Sequence, residues 1–217
     1  MTHSDIVLRR LGRRDYRETQ QAMRDFTAAR EADTPDELWL LEHEAVYTQG
    51  LNGRAEHLLD PGDTPVIQSD RGGQVTWHGP GQVVIYLLVD MRRRGLGVRQ
   101  LVEIMENSVI ALLAEHGIAA SARRDAPGVY VAGAKISALG LRIRHGCSYH
   151  GLSLNVDNAL EPFARINPCG YPRLPVTRLA DLGPRDAPEA VGERLLALLA
   201  AQLRAHPARP ARRVPVR

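Results

Sequence analysis

Lysine is almost missing from this chain of 217 residues. Of its 28 basic residues, 27 are arginine, and the single lysine stands at position 135. An arginine guanidinium keeps its proton in proteins, whereas a desolvated lysine amine can release it. Lys135 is therefore either a chance survivor in an arginine-rich chain or part of a site where a guanidinium cannot serve.

Long apolar runs and a signal sequence are also absent. No run reaches the length that a transmembrane helix needs, and the chain starts Met-Thr-His-Ser-Asp, with neither a basic nor an apolar leader region. The two cysteines, Cys147 and Cys169, are too few for a disulfide framework and are typical of a reducing compartment. We therefore expect a cytoplasmic protein.

The common nucleotide-binding motifs and a nucleic-acid signature are missing as well. There is no Gly-x-x-x-x-Gly-Lys-Ser/Thr loop and no dinucleotide fingerprint. The net charge of +3 depends on five arginines after residue 203, and subtracting them leaves the body at −2. No aromatic platform accompanies those arginines. We expect a single domain over residues 1–205 and a disordered, Arg/Pro-rich tail over 206–217.

The apolar pattern predicts strands and helices in mixed order. Helical spacing favours helices at 15–32, 98–113 and 187–205, and a short one at 52–59. Apolar runs favour strands at 6–8, 37–43, 45–48, 66–67, 83–89, 126–131, 136–143 and 148–156. Because strict β-α-β alternation is absent, the predicted fold is α+β or mixed α/β.

The most distinctive stretch, residues 71–82, reads RGGQVTWHGPGQ. Four glycines and a proline are too many for a helix or an ordinary strand interior. We therefore predict a tight, backbone-lined floor between two core strands, from which Arg71, Thr76, Trp77 and His78 project. A bulged hairpin without chemistry is the alternative.

Cys169 lies in the segment Asn167-Pro-Cys-Gly-Tyr-Pro172, within a stretch (157–175) that is predicted to be mostly irregular. The prolines and the glycine hold the thiol in a rigid loop, and the N–H of Gly170 can approach a reacting carbonyl as an oxyanion donor. An ammonium nearby would lower the pKa of the thiol, and burial would lower the pKa of the amine. Cys169 and Lys135 would then titrate as a coupled pair, provided that the fold brings them together.

Histidines give further candidates. His78 and His150 are interpreted either as structural or orienting residues or as catalytic bases. His145, Cys147 and His150 offer metal-ligand atoms, but a fourth ligand is missing and the spacing matches no zinc pattern, so no metal site is predicted. Cys147 is interpreted as a buried structural thiol. The run 92–94, three arginines, is interpreted as a solvated turn, with a dock for an acidic partner as the alternative.

Four blocks together resemble the lipoyl(octanoyl) transferase family. They are residues 71–82, Gly133-Ala-Lys-Ile-Ser-Ala-Leu-Gly140, His150-Gly-Leu-Ser-Leu-Asn155, and Pro168-Cys-Gly170 followed by Val176-Thr-Arg-Leu179. Trp77 stands where a tyrosine is more usual, a difference expected to affect pocket shape rather than chemistry. The resemblance extends over residues 5–205 and implies a mixed sheet with flanking helices in one catalytic domain, as in the biotin and lipoate protein ligases.

The resemblance also implies an activity: transfer of an octanoyl group from acyl carrier protein to a lysine of lipoyl domains, the first step of protein lipoylation. Those domains belong to 2-oxoacid dehydrogenase complexes and to the glycine cleavage H protein. No cofactor is implied beyond the phosphopantetheine arm of the carrier, and neither nucleic acid nor membrane is an implied partner.

The family's functional residues match positions of this chain. Cys169 is implied as the thioester nucleophile and Lys135 as its activating partner, while Gly170, His78 and His150 are oxyanion or auxiliary candidates. Fourteen residues are implied to line the acyl pocket: Arg71, Gly72, Gly73, Gln74, Val75, Thr76, Trp77, His78, Ala138, Leu139, Gly140, Gly151, Leu152 and Ser153.

Three alternatives remain open from the sequence. An ATP-dependent lipoate or biotin protein ligase would activate a free acid and would not need Cys169. A non-catalytic protein would only bind the carrier or the lipoyl domain. A Cys–His hydrolase would release free acid to water.

Overall fold

The fold is built from ten strands, seen in a computed structural model that describes residues 6–172 and 174–206 but not the side chain of Cys169. The strands are β1 (Ile6–Arg14), β2 (Asp36–His43), β3 (Val46–Gln49), β4 (Val66–Gln68), β5 (Val75–His78), β6 (Gln82–Leu88), β7 (Ser121–Ala122), β8 (Gly128–Val131), β9 (Ala134–Arg144) and β10 (Cys147–Asn155). A large sheet has the order β1-β2-β6-β10-β9-β8-β7, and a small sheet has the order β4-β3-β5. Each sheet has one parallel pair, β1 with β2 and β3 with β4, beside antiparallel pairs. The predicted mixed sheet is confirmed.

Within the described ranges, five α-helices accompany the sheets: α1 (Tyr16–Ala28), α2 (Met91–Arg94), α3 (Val98–Glu115), α4 (Glu161–Ala164) and α5 (Pro188–Arg204). The side chain of Asp15 accepts a hydrogen bond from the Glu18 N–H (3.0 Å) and so caps α1, as its sequence position predicts. Pro188 stands in the first turn of α5, where its missing N–H leaves no hydrogen bond unmade. Short 3₁₀ helices lie at Ala55–His57, Pro168–Gly170 and Leu179–Leu182.

Strand β6 lies in the middle of the large sheet and is buried on both faces. Val83, Ile85 and Leu87 belong to the main core together with α3 and α5. The residues between them, Val84, Tyr86 and Leu88, belong to a second cluster that includes Met23 of α1. Because successive side chains of a strand point to opposite faces, helices on both faces explain why the run 83–89 is apolar throughout.

Several predicted boundaries were wrong. Strand β1 continues to Arg14, helix α1 ends at Ala28 rather than 32, and the helix predicted at 52–59 is only a 3₁₀ turn. The glycine-rich stretch is not free of regular structure, because its middle residues form β5, which pairs with β3 of the small sheet. The two-residue strand β7 carries too little pattern to be predicted.

The arginine run at 92–94 is only in part the solvated segment that we predicted, because Arg92 is exposed but Arg94 is buried. It forms α2, and Arg94 is buried against the Asp36 carboxylate, with its Nε 2.5 Å from Oδ2. Arg93 and Arg30 bind the other oxygen of Asp36. Three guanidiniums thus surround one fully buried carboxylate, which is a structural role.

The chain end and two further features complete the description. His206, the first residue of the predicted tail, accepts a hydrogen bond from Arg94 through its carbonyl (3.0 Å), whereas residues 207–217 lie outside the described ranges. No helix in the described ranges combines the length and apolarity needed to cross a bilayer. The same ranges contain no grouping of His, Cys, Asp or Glu side chains that could hold a metal ion.

Candidate functional site

A narrow cavity, which we call the slot, lies between the small sheet and the large sheet. It is lined by Tyr16, Arg71, Gly73, Gln74, Val75, Thr76, His78, Val84, Tyr86, Ala138, Leu139, Gly140, His150, Gly151, Leu152 and Ser153. Twelve of the fourteen residues assigned to an acyl pocket by resemblance are among them. The fold thus gathers three separate sequence blocks around one cavity. That they bind an acyl chain stays a prediction.

Gly72 and Trp77 are the two residues that do not line the slot. Since side chains alternate along a strand, Thr76 and His78 of β5 face the slot while Trp77 faces away. The Trp77 ring packs against Phe163 of α4, with 5.7 Å between ring centroids. Trp77 therefore supports the small sheet from behind, which corrects its predicted place in the slot.

Lys135 owes its orientation to a β-bulge between β8 and β9. Ser137 pairs with Val129 and Lys135 pairs with Tyr130, so Ile136 has no partner in the pairing. If side chains alternated regularly along β9, Lys135 would point toward the main core. Instead, its Nζ donates a hydrogen bond to the Pro127 carbonyl (3.1 Å) and lies 5.2 Å from the centre of the Tyr130 ring.

A second, small cavity adjoins the slot, and we call it the junction cavity. It is lined by Thr76, Lys135, Ala138, Ser153, Asn155, Phe163, Pro168 and Val176. Three of these residues, Thr76, Ala138 and Ser153, also line the slot. The lone lysine and the residue preceding Cys169 therefore border the same space at one end of the slot.

The loop that carries Cys169 is tied to the lysine strand by backbone hydrogen bonds. The N–H of Lys135 donates to the Pro175 carbonyl (2.7 Å), and the N–H of Thr177 donates to the Lys135 carbonyl (2.9 Å). On the other side, Tyr171 donates through its hydroxyl to the Asp125 carbonyl (3.1 Å). These tethers fix the loop beside Lys135, although the Cys169 side chain lies outside what the structure describes.

Gly170 has a left-handed backbone, with φ of +75°. Its N–H, the predicted oxyanion donor, donates to the Asn167 carbonyl within the 3₁₀ turn (2.9 Å). This donor is therefore engaged inside the loop. A Cβ at Gly170 would lie 3.2 Å from His57 and 3.4 Å from Gln74, which shows how closely the loop is packed.

His78 is buried and neutral. The amide nitrogen of Gln82 donates to the Trp77 carbonyl and to Asn155, so the Gln82 oxygen accepts from Nδ1–H of His78 (2.7 Å). Burial lowers the pKa of His78 to about 3. Its Nε2 consequently carries no proton at neutral pH and cannot donate to an oxyanion, which corrects one of the roles we considered for it.

His150 lies near the other end of the slot from Lys135. Its ring is 5.8 Å from Tyr86, and its Nε2 bonds Asp70 (2.9 Å). Burial lowers the pKa of His150, and the Asp70 carboxylate opposes that shift. Burial alone would raise the pKa of Asp70, but hydrogen bonds from His150, Tyr149 and Arg24 hold it well below its usual range. His150 thus belongs to a structural network rather than to the space around Lys135.

Several residues at the site carried no signal in the sequence. Tyr16, Val84 and Tyr86 complete the slot, but in the sequence they read as ordinary core positions. Pro127 becomes relevant only through its carbonyl, which no side-chain pattern reveals. The alternation in β6 would assign Val84 and Tyr86 to one face, yet it cannot tell that this face borders a cavity.

The chain is similar in sequence to a known family of proteins. Residues 15–200 match the family model described as the lipoyl protein ligase A/B catalytic domain. An octanoyltransferase of Alkalilimnicola ehrlichii is 65% identical over 83% of this chain and 84% of its own length. The octanoyltransferases of Stutzerimonas stutzeri (61% identical, 94% of this chain and 92% of theirs) and Klebsiella pneumoniae (56%, 95% and 96%) are similar over almost the whole chain.

Solved structures share the fold at much lower identity. A lipoate-protein ligase A bound with ATP superposes with a TM-score of 0.76 at 15% identity, over 91% of this chain and 85% of that one. The biotin protein ligase of Aquifex aeolicus gives 0.54 at 14% identity, over 92% and 68%. These structures share the fold, while the family model over residues 15–200 and the relatives at 56–65% identity show that the chain belongs to the lipoyl protein ligase A/B catalytic domain family.

Proposed function

We propose that the chain transfers an octanoyl group from acyl carrier protein to a lysine of lipoyl domains, through a thioester on Cys169. The octanoyltransferase relatives support the reaction, at 56–65% identity over most of their length. One observation carries the mechanism: Lys135 and Pro168 border one cavity, and that cavity shares three lining residues with the slot between the sheets. A slot of this kind suits a linear aliphatic chain, whose burial is worth about 0.8 kcal/mol for each CH₂.

The first half-reaction loads the enzyme. The Cys169 thiolate attacks the carbonyl carbon of the carrier thioester, and the carbonyl electron pair moves to oxygen. As the tetrahedral intermediate collapses, the carrier's phosphopantetheine thiolate leaves and takes a proton from the Lys135 ammonium. Lys135 becomes neutral, and the octanoyl group remains on sulfur.

The second half-reaction unloads it. The amine of the lipoyl-domain lysine attacks the acyl-Cys carbonyl, and collapse of the intermediate expels the Cys169 thiolate. The surplus proton of the attacking nitrogen moves to neutral Lys135, which regenerates the starting pair. Because a thioester is exchanged for an amide, the reaction runs downhill without ATP, and no cofactor is required beyond the carrier's own arm.

Partners and compartment follow from this chemistry. The acceptors are lipoyl domains, those of 2-oxoacid dehydrogenase complexes and the glycine cleavage H protein. A Thermoplasma acidophilum structure with this fold (TM-score 0.73, 15% identity, 91% of this chain and 83% of that one) is that of a bipartite lipoate protein ligase and its E2 lipoyl domain. The cytosol keeps thiols reduced, which supports the cytoplasm as the site of action.

Intact-protein mass tests the thioester directly. After mixing with octanoyl carrier protein, the wild-type chain should gain one octanoyl increment, and addition of lipoyl domain should remove it. Cys169→Ala should show no increment and no transfer. Cys147→Ala is the matched control, because Cys147 is a buried free thiol at the opposite end of β10 from the residues that border the junction cavity. Near-normal transfer by Cys169→Ala would contradict the mechanism.

The same samples discriminate the alternatives. An ATP-dependent ligase would modify the lipoyl domain from free octanoate and ATP without needing Cys169. A binding protein would give no covalent increment, and a hydrolase would release octanoate without an acceptor. The likeness to the ligase structures shows the fold alone, since identity there is about 15%.

A further inference from the structure

Gln74 has an unpaired side-chain oxygen at the slot. Its side chain lines the slot, and its Oε1 is buried without a hydrogen-bond partner among the described residues. Leaving a buried polar atom unpaired costs about 1–3 kcal/mol, so a side chain in this state is suited to a ligand that completes its hydrogen bonds.

The carboxamide also packs against the nucleophile loop. A Cβ placed on Gly170 would lie 3.4 Å from Cγ and 3.6 Å from Cδ of Gln74. Gln74 therefore contacts the residue that directly follows Cys169, and it does so from the wall of the slot. The acyl carbonyl must sit where the slot meets this loop, because the chain occupies the slot while its carbonyl carbon is bonded to sulfur.

Two of the three oxyanion or auxiliary candidates that we predicted are not available, and the third, His150, bonds Asp70 near the other end of the slot. The Gly170 N–H is engaged by the Asn167 carbonyl, and the free nitrogen of neutral His78 has no proton to give. A half-turn about the last bond of the glutamine side chain exchanges its oxygen and nitrogen, so the NH₂ can face the position that Oε1 occupies. Gln74 can therefore donate where those two groups cannot.

Accepting the transferase function proposed above, we propose that Gln74 is a catalytic residue whose Nε2–H donates a hydrogen bond to the acyl oxygen in both tetrahedral intermediates. No proton leaves Gln74. Its dipole stabilises the charge that develops on oxygen as each nucleophile attacks, and the same hydrogen bond polarises the carbonyl of the resting octanoyl-Cys169. Side-chain amides are established oxyanion donors, and loss of one such donor costs about 10²–10³-fold in kcat.

The test is the carbonyl stretch of the acyl-enzyme, measured by isotope-edited infrared spectroscopy with octanoyl carrier protein labelled by ¹³C at the carbonyl. In the wild type the band should lie below that of a free thioester. In Gln74→Met, which keeps the side-chain length but has no donor, the band should move up toward the free value. Single-turnover loading and unloading should both slow by about 10²-fold or more, with little change in KM.

Matched variants separate this role from a structural one. Gln21→Met changes an exposed glutamine of α1 and should leave band and rates unchanged. Gln74→Leu is likewise uncharged and without a donor and should behave like Gln74→Met, so a second variant is available if the methionine variant folds poorly. Ser153 and Thr76 also border the junction cavity through hydroxyl groups, so Ser153→Ala and Thr76→Val are run in parallel.

The outcomes are distinct. A wild-type band and wild-type rates in both Gln74 variants would overturn the proposal, as would a band shift found only in Ser153→Ala or Thr76→Val. If the wild type itself formed no octanoyl adduct on Cys169, the transferase mechanism would fall together with this proposal. An adduct with an unchanged band in the Gln74 variants would remove only the role of Gln74.

Discussion

The Lys135 side chain donates a hydrogen bond, lies near an aromatic ring and packs closely against a glycine. Its stem is buried, its Nζ donates to the Pro127 carbonyl, and the Tyr130 ring lies 5.2 Å away. Gly128 borders it so closely that a Cβ there would lie 3.0 Å from the Lys135 Cε. An arginine at position 135 would keep the positive charge but could not give up its proton.

Lys135→Arg should therefore separate the two half-reactions. We expect loading of Cys169 to survive better than unloading, so that acyl-enzyme accumulates while turnover falls by about 10²-fold or more, the usual contribution of a general base. Single-turnover kinetics with mass detection would measure both steps. Lys135→Met is the comparator, since it removes charge and proton together and should slow both steps. Equal slowing of both steps in Lys135→Arg would contradict a proton-transfer role.

At the scale of elements, three neighbouring strands lay out the slot in rows. Val84, Ser153 and Ala138 form one row across β6, β10 and β9, and the next row contains Tyr86, Gly151 and Gly140. Two residues along a strand span about 7 Å, so the Tyr86 row lies about that much farther from the junction cavity. Tyr86 is fixed by its hydroxyl, which donates to Nε2 of His43 (2.7 Å).

Tyr86→Leu should therefore lengthen the slot. We expect the preference for octanoyl over decanoyl, measured as the ratio of kcat/KM values for the two carrier thioesters, to fall by about tenfold, since one or two methylenes are worth about 1–3 kcal/mol in an apolar pocket. Leu88→Ala is a matched control, because Leu88 belongs to the same strand and core cluster without lining the slot. If Leu88→Ala changed the ratio as much as Tyr86→Leu, Tyr86 would not set the length.

Helix α2 depends on a buried ion cluster. The Asp36 side chain has no exposure and binds Arg30, Arg93 and Arg94, and it also accepts from the N–H of Asp90. Removing one member of such a cluster leaves buried charge without compensation.

Asp36→Asn should lower the free energy of unfolding by about 3–5 kcal/mol, as measured by urea denaturation. The exposed pair of Arg99 and Glu103 on α3 provides the control, and Arg99→Gln should cost no more than about 0.5 kcal/mol. Similar small losses in both variants would show that the buried cluster adds little stability.

At the scale of the whole molecule, buried neutral histidines connect α1, both sheets and the slot. Burial lowers the pKa of His43 to about 4 and that of His78 to about 3, and the two rings lie 5.8 Å apart. In the unfolded chain both would titrate near 6.5. Between these values the unfolded state binds more protons than the folded state does, so stability falls as the pH falls.

We therefore expect the free energy of unfolding to decrease as the pH falls from about 6.5 to about 4, by up to about 1.4 kcal/mol per pH unit for each histidine. Urea denaturation at a series of pH values would measure the slope. His43→Gln should make the slope shallower, because one of the two groups is then gone. A slope that is flat in the wild type would contradict the burial of neutral imidazoles.

Much of the secondary structure could be predicted from local pattern. The Asp15 cap, the apolar run of β6 and the proline at the start of α5 each depend on neighbouring residues alone. Boundaries failed where tertiary pairing decides them, as in β1, whose charged second half pairs with β2, and in β5, whose strand exists only because β3 lies beside it.

The sequence by itself determined which residues carry distinctive chemistry. These are one lysine, one cysteine in a loop flanked by prolines, and three sequence segments that contain glycines. Only the tertiary structure decided where they meet, since Lys135 faces the junction cavity through a bulge that a one-residue shift would reverse. It also decided that Trp77 faces away and that the side-chain oxygen of Gln74 is unpaired, because packing between distant segments sets these features and leaves no local pattern.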